Sequence, residues 1–144
     1  MNKKKLAGFR QQRYAQKLEE LEDRTSFIQK NLGEKEAFVR ERMIRKAMYK
    51  EFQELAEILS DLSAMLVKDC EKAVEDDYSN IEKASGILKL DENLLESLKK
   101  ANGLRNVLIH EYNGVIDKQA YDSIKTSLSA AQGFGKAFRE WLKG

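Results

Sequence analysis

The chain of 144 residues is long enough for one domain with a buried core, and its 42% apolar and 35% charged residues are typical of a folded globular protein. Its 26 basic and 24 acidic residues nearly cancel to a net charge of +2, which does not indicate a nucleic-acid binder, and no apolar run approaches the roughly 18 residues of a membrane span. A single cysteine excludes an internal disulfide framework and predicts a reducing, cytoplasmic compartment.

The charges are distributed unevenly. Residues 1–17 contain basic but no acidic side chains, residues 40–50 hold a second basic cluster, and residues 69–77 are acidic. These clusters could attract RNA or a complementary partner, or they could be solvated faces of helices. The sequence contains no proline, which favours long uninterrupted helices.

The first two predicted helices are long. A basic N-terminal helix within residues 1–31 is expected from about Leu6 to Asn31, and Gly33 is expected to end it because glycine readily adopts the left-handed conformation. The second helix is expected to run unbroken over residues 35–68, because its apolar residues recur at alternating spacings of four and three. The residues expected in the core from this helix and from other methionine and aromatic positions are Met43, Met48, Phe52, Leu55, Leu59, Leu62, Met65, Leu66 and Phe138.

An acidic break around Asp76 and Asp77 precedes a short predicted helix over about residues 78–88. Asp91 is placed to cap the third long helix, with Leu90 and Leu95 as a hydrophobic staple. This helix is expected to reach His110 and to stop at residues 113–114, an Asn-Gly pair.

The last helix is expected to be capped by Asp117, with Ile116 and Tyr121 as a staple. Gly133 and Gly135 interrupt its apolar seam and predict the close approach of another helix. The predicted fold is all-α, an antiparallel up-down bundle of four to five helices in a single domain over residues 1–144, with seams that leave room for a second chain.

Two residues of the third long helix indicate a site. Arg105 lies on its apolar face, where a guanidinium is costly unless a charge or a ligand satisfies it, and His110 is the only histidine. At 100° per residue their directions differ by about 140°, so they meet only if the last turn distorts or if two protomers combine. Asn106, one turn before His110, could orient the imidazole ring.

Structural roles for these residues stay open. His110 could complement the helix dipole, and Arg105 could form an ion pair with a glutamate of another helix, such as Glu54. One cysteine and one histidine do not supply the ligands of a zinc site, so no metal is expected.

The pattern Arg105-x4-His110-x-Tyr112 resembles the motif of HEPN-domain proteins, specifically the HepT-type toxins. The helix-loop-helix passage over residues 85–106 is similar as well, and the resemblance covers roughly residues 35–142. The resemblance implies a four- to five-helix bundle that forms a homodimer, with a composite cleft built by both copies of the motif. This agrees with the second of the two geometries above.

The resemblance also implies a metal-independent endoribonuclease of a toxin–antitoxin pair, working without a cofactor. His110 would act as general base or acid while a ribose 2′-hydroxyl attacks the adjacent phosphate, because an imidazole exchanges protons near neutral pH. Arg105 would bind the scissile phosphate, Asn106 would hold the imidazole or the phosphate, and Asp61 on the second helix is a possible helper.

The implied partner is an antitoxin, a small nucleotidyltransferase of the MNT type, that neutralises the toxin by adding AMP to Tyr112. A bulky anionic adenylate beside Arg105 would occupy the phosphate site, although Tyr112 could also be an ordinary packing residue. Two other functions stay open. The domain could be a non-catalytic module that binds nucleotide or RNA or docks the nucleotidyltransferase, or it could be a helical interaction domain in which Arg105 and His110 are structural.

Overall fold

The computed structural model describes Leu6, residues 8–110 and residues 116–144. Within these ranges the chain forms six α-helices and no β-strand. None of these helices has an apolar stretch long enough to cross a membrane. The helices are α1 (Gly8–Asn31), α2 (Lys35–Arg40), α3 (Arg42–Asp69), α4 (Asp77–Leu88), α5 (Glu92–Ile109) and α6 (Asp117–Lys143).

Four long helices form the bundle, and neighbouring helices run antiparallel. Helix α1 packs against α3 and α6, α5 packs against α3 and α6, and the short α4 lies against α3 and α5. Arg10 at the start of α1 binds Asp69 at the end of α3 at 2.6 Å. The Tyr121 hydroxyl at the start of α6 donates to the Gly33 carbonyl just after α1, also at 2.6 Å. The predicted all-α bundle is therefore confirmed, and dimerisation stays a prediction.

The prediction of one unbroken helix over residues 35–68 is wrong. The chain leaves the helical conformation at Glu41 (φ −99°, ψ 106°), which separates α2 from α3. The Arg45 side chain donates to the Val39 carbonyl across this break. The bend lets Phe38 of α2 pack fully buried against the rings of Tyr49 and Tyr121, at centroid distances of 5.6 and 5.3 Å.

The bend also explains why Met43 lies outside the core. It is in the first turn of α3 and is 86% exposed, although the sequence placed it inside. Met43 was expected in the core because it is a methionine, whereas the predicted apolar seam of this helix itself begins at Met48. From Met48 onwards the seam is buried as predicted, and Met65 is half-buried against the core.

The N-terminus of α6 differs from the prediction as well. Ile116, not Asp117, occupies the capping position, and no side chain caps the helix there. Asp117 instead accepts a hydrogen bond from the Tyr49 hydroxyl at 2.5 Å and an ion pair from Arg45 at 3.5 Å. Ile116 is 54% exposed, so it does not form the predicted staple with the buried Tyr121. Asp117 therefore binds two distant side chains of α3 and does not cap its own helix.

Several local predictions are confirmed. The Asp91 carboxylate accepts the Leu94 amide at 2.8 Å and caps α5, while Leu90 and Leu95 pack against the core. Gly33 follows α1 with a positive φ of 67°. A Cβ at Gly133 would stand 3.2 Å from the Leu94 side chain, which confirms the close approach of α5 to α6.

Two tyrosines, the buried Tyr14 and the half-buried Tyr49, connect the long helices through carboxylates. The Tyr14 hydroxyl of α1 donates to Asp69 of α3, beside Arg10. Burial raises the pKa of Tyr14 above its usual range, and its hydrogen bond to Asp69 raises it further. The pKa of Tyr49 is raised in the same way, by burial and then by its hydrogen bond to Asp117. Both tyrosines are therefore held in their neutral form.

Candidate active site at the end of helix α5

Helix α5 carries three of the predicted site residues. It is anchored by the Asp91 cap and by the buried residues Leu98, Ala101 and Leu108. The helix is continuous through Ile109, and the His110 amide donates to the Asn106 carbonyl at 3.1 Å. His110 is therefore the C-terminal cap of a regular helix, with an exposed side chain.

Arg105 has an acidic partner that the sequence analysis did not identify. Its Nη1 donates to the carboxylate of Asp77, the first residue of α4, at 3.2 Å. The Arg105 side chain is 19% exposed and that of Asp77 is 42% exposed. The alternative partner named from the sequence, Glu54, binds Arg24 at 2.6 Å instead. The predicted ion pair between Arg105 and Glu54 is therefore wrong.

The ion pair with Asp77 satisfies Arg105 only in part. The buried Nε of Arg105 has no hydrogen-bond partner among the described residues. A planar guanidinium presents five donors and the bond to Asp77 uses one of them, so the terminal nitrogens of Arg105 retain capacity for a second anion, whereas the buried Nε cannot reach one. Asp77 would then compete with that anion for the guanidinium, because both are acceptors of the same charge sign.

The regularity of α5 bears on how Arg105 and His110 could act together. With an undistorted helix through Ile109, their side chains leave the axis in directions that differ by about 140°. Arg105 is directed to α4, whereas His110 is exposed at the helix end. The helix is therefore not distorted through Ile109, and the turn before the predicted stop at residues 113–114 lies outside the described residues, so the combination of two protomers stays a prediction.

The remaining predicted residues have different surroundings. Asn106 is half-buried one turn before His110, where its position fits the expected role of orienting the ring. Asp61 of α3 is in an ion pair with Lys17 of α1 at 3.1 Å. Tyr112, and the predicted helix stop at residues 113–114, lie outside the described residues.

Two residues at the start of α4 belong to this region although sequence reasoning missed them. Asp77 binds Arg105, and the hydroxyl of the adjacent Tyr78 lies 3.3 Å from where a Cβ of Gly103 on α5 would stand. Asp77 was visible in the sequence only as part of an acidic break. No local signal connects it with a residue 28 positions later. In the part of the chain that the structure describes, no group of three His, Cys, Asp or Glu side chains is arranged to hold a metal ion.

Comparison with known protein families matches residues 12–138 to the family described as Ribonuclease HepT-like. The match begins within α1 and so includes most of the N-terminal helix, which precedes the roughly 35–142 range of the resemblance seen in the sequence. No solved structure matches the chain.

Individual relatives come from archaea. One Archaeoglobus fulgidus protein, named "Putative RNase", is 52% identical over 65 residues, and the chain spans about half of its length (45% of this chain, 49% of the relative). A second protein of the same name and organism is 39% identical over 104 residues, 72% of this chain and 74% of the relative. A Methanocaldococcus jannaschii protein of the same description is 40% identical over 76 residues, 51% of this chain and 85% of the relative. From the match over residues 12–138, the chain belongs to the HepT-like ribonuclease family.

Proposed function

We propose that this protein is a metal-independent endoribonuclease that acts as the toxin of a toxin–antitoxin pair. Membership of the HepT-like ribonuclease family and relatives named as RNases support an RNA-cleaving activity. The observation that carries the assignment is the exposed His110 at the end of a regular helix, five residues after a guanidinium whose donors are only partly used. A base and an anion-binding group are the minimum for cleavage of a phosphodiester.

In the proposed reaction His110 takes the proton of a ribose 2′-hydroxyl. The 2′-oxygen forms a bond to the adjacent phosphorus while the bond from phosphorus to the 5′-oxygen breaks. The leaving 5′-oxygen takes a proton from solvent and the His110 imidazolium later returns its proton to solvent, so the products are a 2′,3′-cyclic phosphate and a 5′-hydroxyl. No oxidant and no metal-bound water is needed for this transesterification.

Arg105 stabilises the negative charge that develops on the phosphate oxygens. Because Arg105 and His110 of one helix leave the axis in different directions, each site combines Arg105 of one protomer with His110 of the other. Asn106, one turn before His110, orients the imidazole ring. The homodimer is therefore part of the proposed mechanism.

Control of the toxin is assigned to an antitoxin, a nucleotidyltransferase of the MNT type, that transfers AMP to Tyr112. Tyr112 is two residues after His110 in sequence. An adenylate there adds negative charge and bulk next to the phosphate site, which would exclude RNA. The expected signature is a mass increase of one AMP that disappears in Tyr112→Phe, together with a Tyr112→Phe toxin that the nucleotidyltransferase no longer neutralises.

The first experiment uses the full chain, confirmed as unmodified by its intact mass, with a labelled oligoribonucleotide and EDTA. Wild type should cleave and leave 2′,3′-cyclic phosphate ends, and His110→Ala should lose at least about 100-fold in rate. Lys68→Ala, an exposed residue in the last turn of α3, is the matched surface control and should retain the rate. Cleavage that persists in His110→Ala, or that requires a metal ion, would refute the proposal.

The non-catalytic binding module is a second candidate because of one observation. Asp77 already occupies part of the Arg105 guanidinium, as in a structural ion pair. This candidate predicts that the unmodified dimer binds RNA or nucleotide without cleaving it, and that His110→Ala binds as tightly as wild type.

A further inference from the structure

A groove beside the candidate site has the composition of a nucleotide subsite. It has a volume of about 510 Å³ and lies between α5 and α6, with one wall from the start of α4. This volume is within the range of small-molecule sites. The residues that line it include Tyr78, Lys99, Lys100, Leu104, Val107 and Ser123.

One wall of the groove is aromatic and apolar. Tyr78 is exposed over part of its ring, and Leu104 and Val107 of α5 line the same space. Gly103 allows the Tyr78 ring to lie against α5, because a Cβ at that position would stand 3.3 Å from the Tyr78 hydroxyl oxygen. An accessible ring beside aliphatic side chains is a surface on which a nucleobase can stack.

The charged residues that line the groove are both basic. Lys99 forms an ion pair with Glu82 at 2.5 Å, and this hydrogen bond is the main cause of its raised pKa. Lys100 is exposed and takes part in none of the ion pairs among the described residues. A smaller cavity of about 170 Å³ shares Lys100 and Ser123 with the groove, so Lys100 stands between the two spaces. The smaller cavity is also lined by Asp122, but its carboxylate is in an ion pair with a lysine of α2 at 2.7 Å, so the ammonium next to the hydroxyl groups stays available for a phosphate.

The groove lies on the same side of α5 as His110. At 100° per residue, Lys99, Gly103 and His110 leave the helix within about 40° of one another. Gly103 and His110 are two turns apart, which places the Tyr78 ring about 10 Å along the axis from the proposed base. A strand whose scissile phosphate is at His110 can therefore continue into the groove.

We propose that this groove binds a nucleotide next to the cleaved bond of the RNA, with its base on Tyr78 and a phosphate farther along the strand on Lys100. The inference rests on the proposed ribonuclease function and adds to it the residues that hold single-stranded substrate. Such subsites discriminate little between bases, because every base has a stacking face.

The test measures binding and cleavage separately, so that the two proposals can fail separately. Binding is measured by fluorescence anisotropy with a labelled single-stranded oligoribonucleotide in the His110→Ala background, and cleavage is measured in the otherwise wild-type chain. Tyr78→Leu should weaken binding and raise KM about 10-fold, with kcat changed less than 2-fold, whereas Tyr78→Phe keeps the ring and should bind like wild type. Lys100→Ala should weaken binding about 3- to 10-fold and lower the slope of log Kd against log salt by about 0.7.

The control is Lys68→Ala, which removes an equal charge from α3 away from the groove and should leave binding and its salt slope unchanged. If wild type cleaves RNA but Tyr78→Leu and Lys100→Ala have the KM and the binding affinity of wild type, the proposed subsite is wrong and the proposed ribonuclease function is retained. If these variants dissociate the dimer in sedimentation experiments, the groove is a contact between protomers and the proposal is overturned. If His110→Ala and wild type both fail to bind or cleave RNA, both proposals fail.

Discussion

The Arg105 guanidinium donates to the Asp77 carboxylate at 3.2 Å, across the contact between α5 and α4. The acid is more exposed than the base, at 42% against 19%. Loss of Arg105 would therefore leave a carboxylate that water can solvate, at a cost of about 1–2 kcal/mol rather than the larger penalty of a fully buried charge. An arginine that contributes modestly to stability and still has unused donors is suited to bind a second anion.

Replacement of Asp77 by asparagine should tighten RNA binding. The change Asp77→Asn removes the anion that competes for Arg105, so we expect Kd for a single-stranded oligoribonucleotide in the His110→Ala background to fall about 3- to 10-fold. Stability should drop by about 1 kcal/mol or less, because the pair is partly exposed. Anisotropy titrations and urea unfolding measure the two effects.

The matched control for this change is Asp76→Asn. It removes the same charge one residue earlier, and asparagine replaces aspartate well at the capping position that Asp76 occupies in α4. A similar gain of affinity in Asp76→Asn would show that general charge, and not release of Arg105, is responsible. No gain in Asp77→Asn would assign Arg105 a structural role.

A composite site predicts that two inactive variants restore each other. Mixed dimers of Arg105→Ala and His110→Ala contain one intact site, because the first chain supplies His110 and the second supplies Arg105. With random exchange of protomers, about a quarter of the wild-type sites should be recovered, and the rate measured after co-refolding should follow. Homodimers of each variant are the controls. Mixtures as inactive as those homodimers would mean that each site uses both residues of one chain.

Alkaline pH should weaken the bundle through the buried Tyr14 and the half-buried Tyr49. The pKa values of Tyr14 and Tyr49 are raised in the folded state, so ionisation near pH 10 favours the unfolded chain. Their contribution is fully present below about pH 10 and is lost as pH rises further. At pH 8, Tyr14→Phe should be about 1 kcal/mol less stable than wild type because its hydrogen bond to Asp69 is missing.

This difference should close by about pH 11. One pH unit above the unfolded pKa, ionisation of Tyr14 removes about 1.4 kcal/mol from wild type, whereas the variant loses nothing at that position and the contribution of Tyr49 is the same in both chains. Urea midpoints between pH 8 and pH 11 test it, with Tyr49→Phe expected to behave in the same way. A gap that stays constant over this range would mean that neither tyrosine ionises on unfolding.

Two glycines in helices should respond differently to alanine. Gly86 of α4 has no atom within 4 Å of an added Cβ, so Gly86→Ala should stabilise the fold by about 0.5–1 kcal/mol through helix propensity. A Cβ at Gly133 of α6 would stand 3.2 Å from Leu94, and Gly133→Ala should gain less or lose stability because that side chain must move. Thermal unfolding of both variants compares them, and equal gains would contradict the close contact.

Local sequence was sufficient for most helix positions. The cap at Asp91, the end of α1 before Gly33 and the apolar seam from Met48 to Leu66 depend on neighbours within a few residues, and all are confirmed. The local rule failed where a distant group competed for the same side chain. Asp117 is directed to Tyr49 and Arg45 and does not cap α6, and the bend at Glu41 accompanies burial of Phe38.

In the candidate site as well, some features follow from local sequence and others depend on contacts between distant helices. The spacing of Arg105, Asn106 and His110, and hence their directions around α5, follows from the periodicity of one helix and could be read from the chain alone. The partner of Arg105 could not be read from the chain in this way. Asp77 and Glu54 are both carboxylates that could pair with an arginine, and only the packing of α4 on α5 decides that Asp77 does so. The groove beside Tyr78 was hidden for the same reason: three helices enclose it, and contacts between helices depend on packing over the whole chain, which no short window of sequence contains.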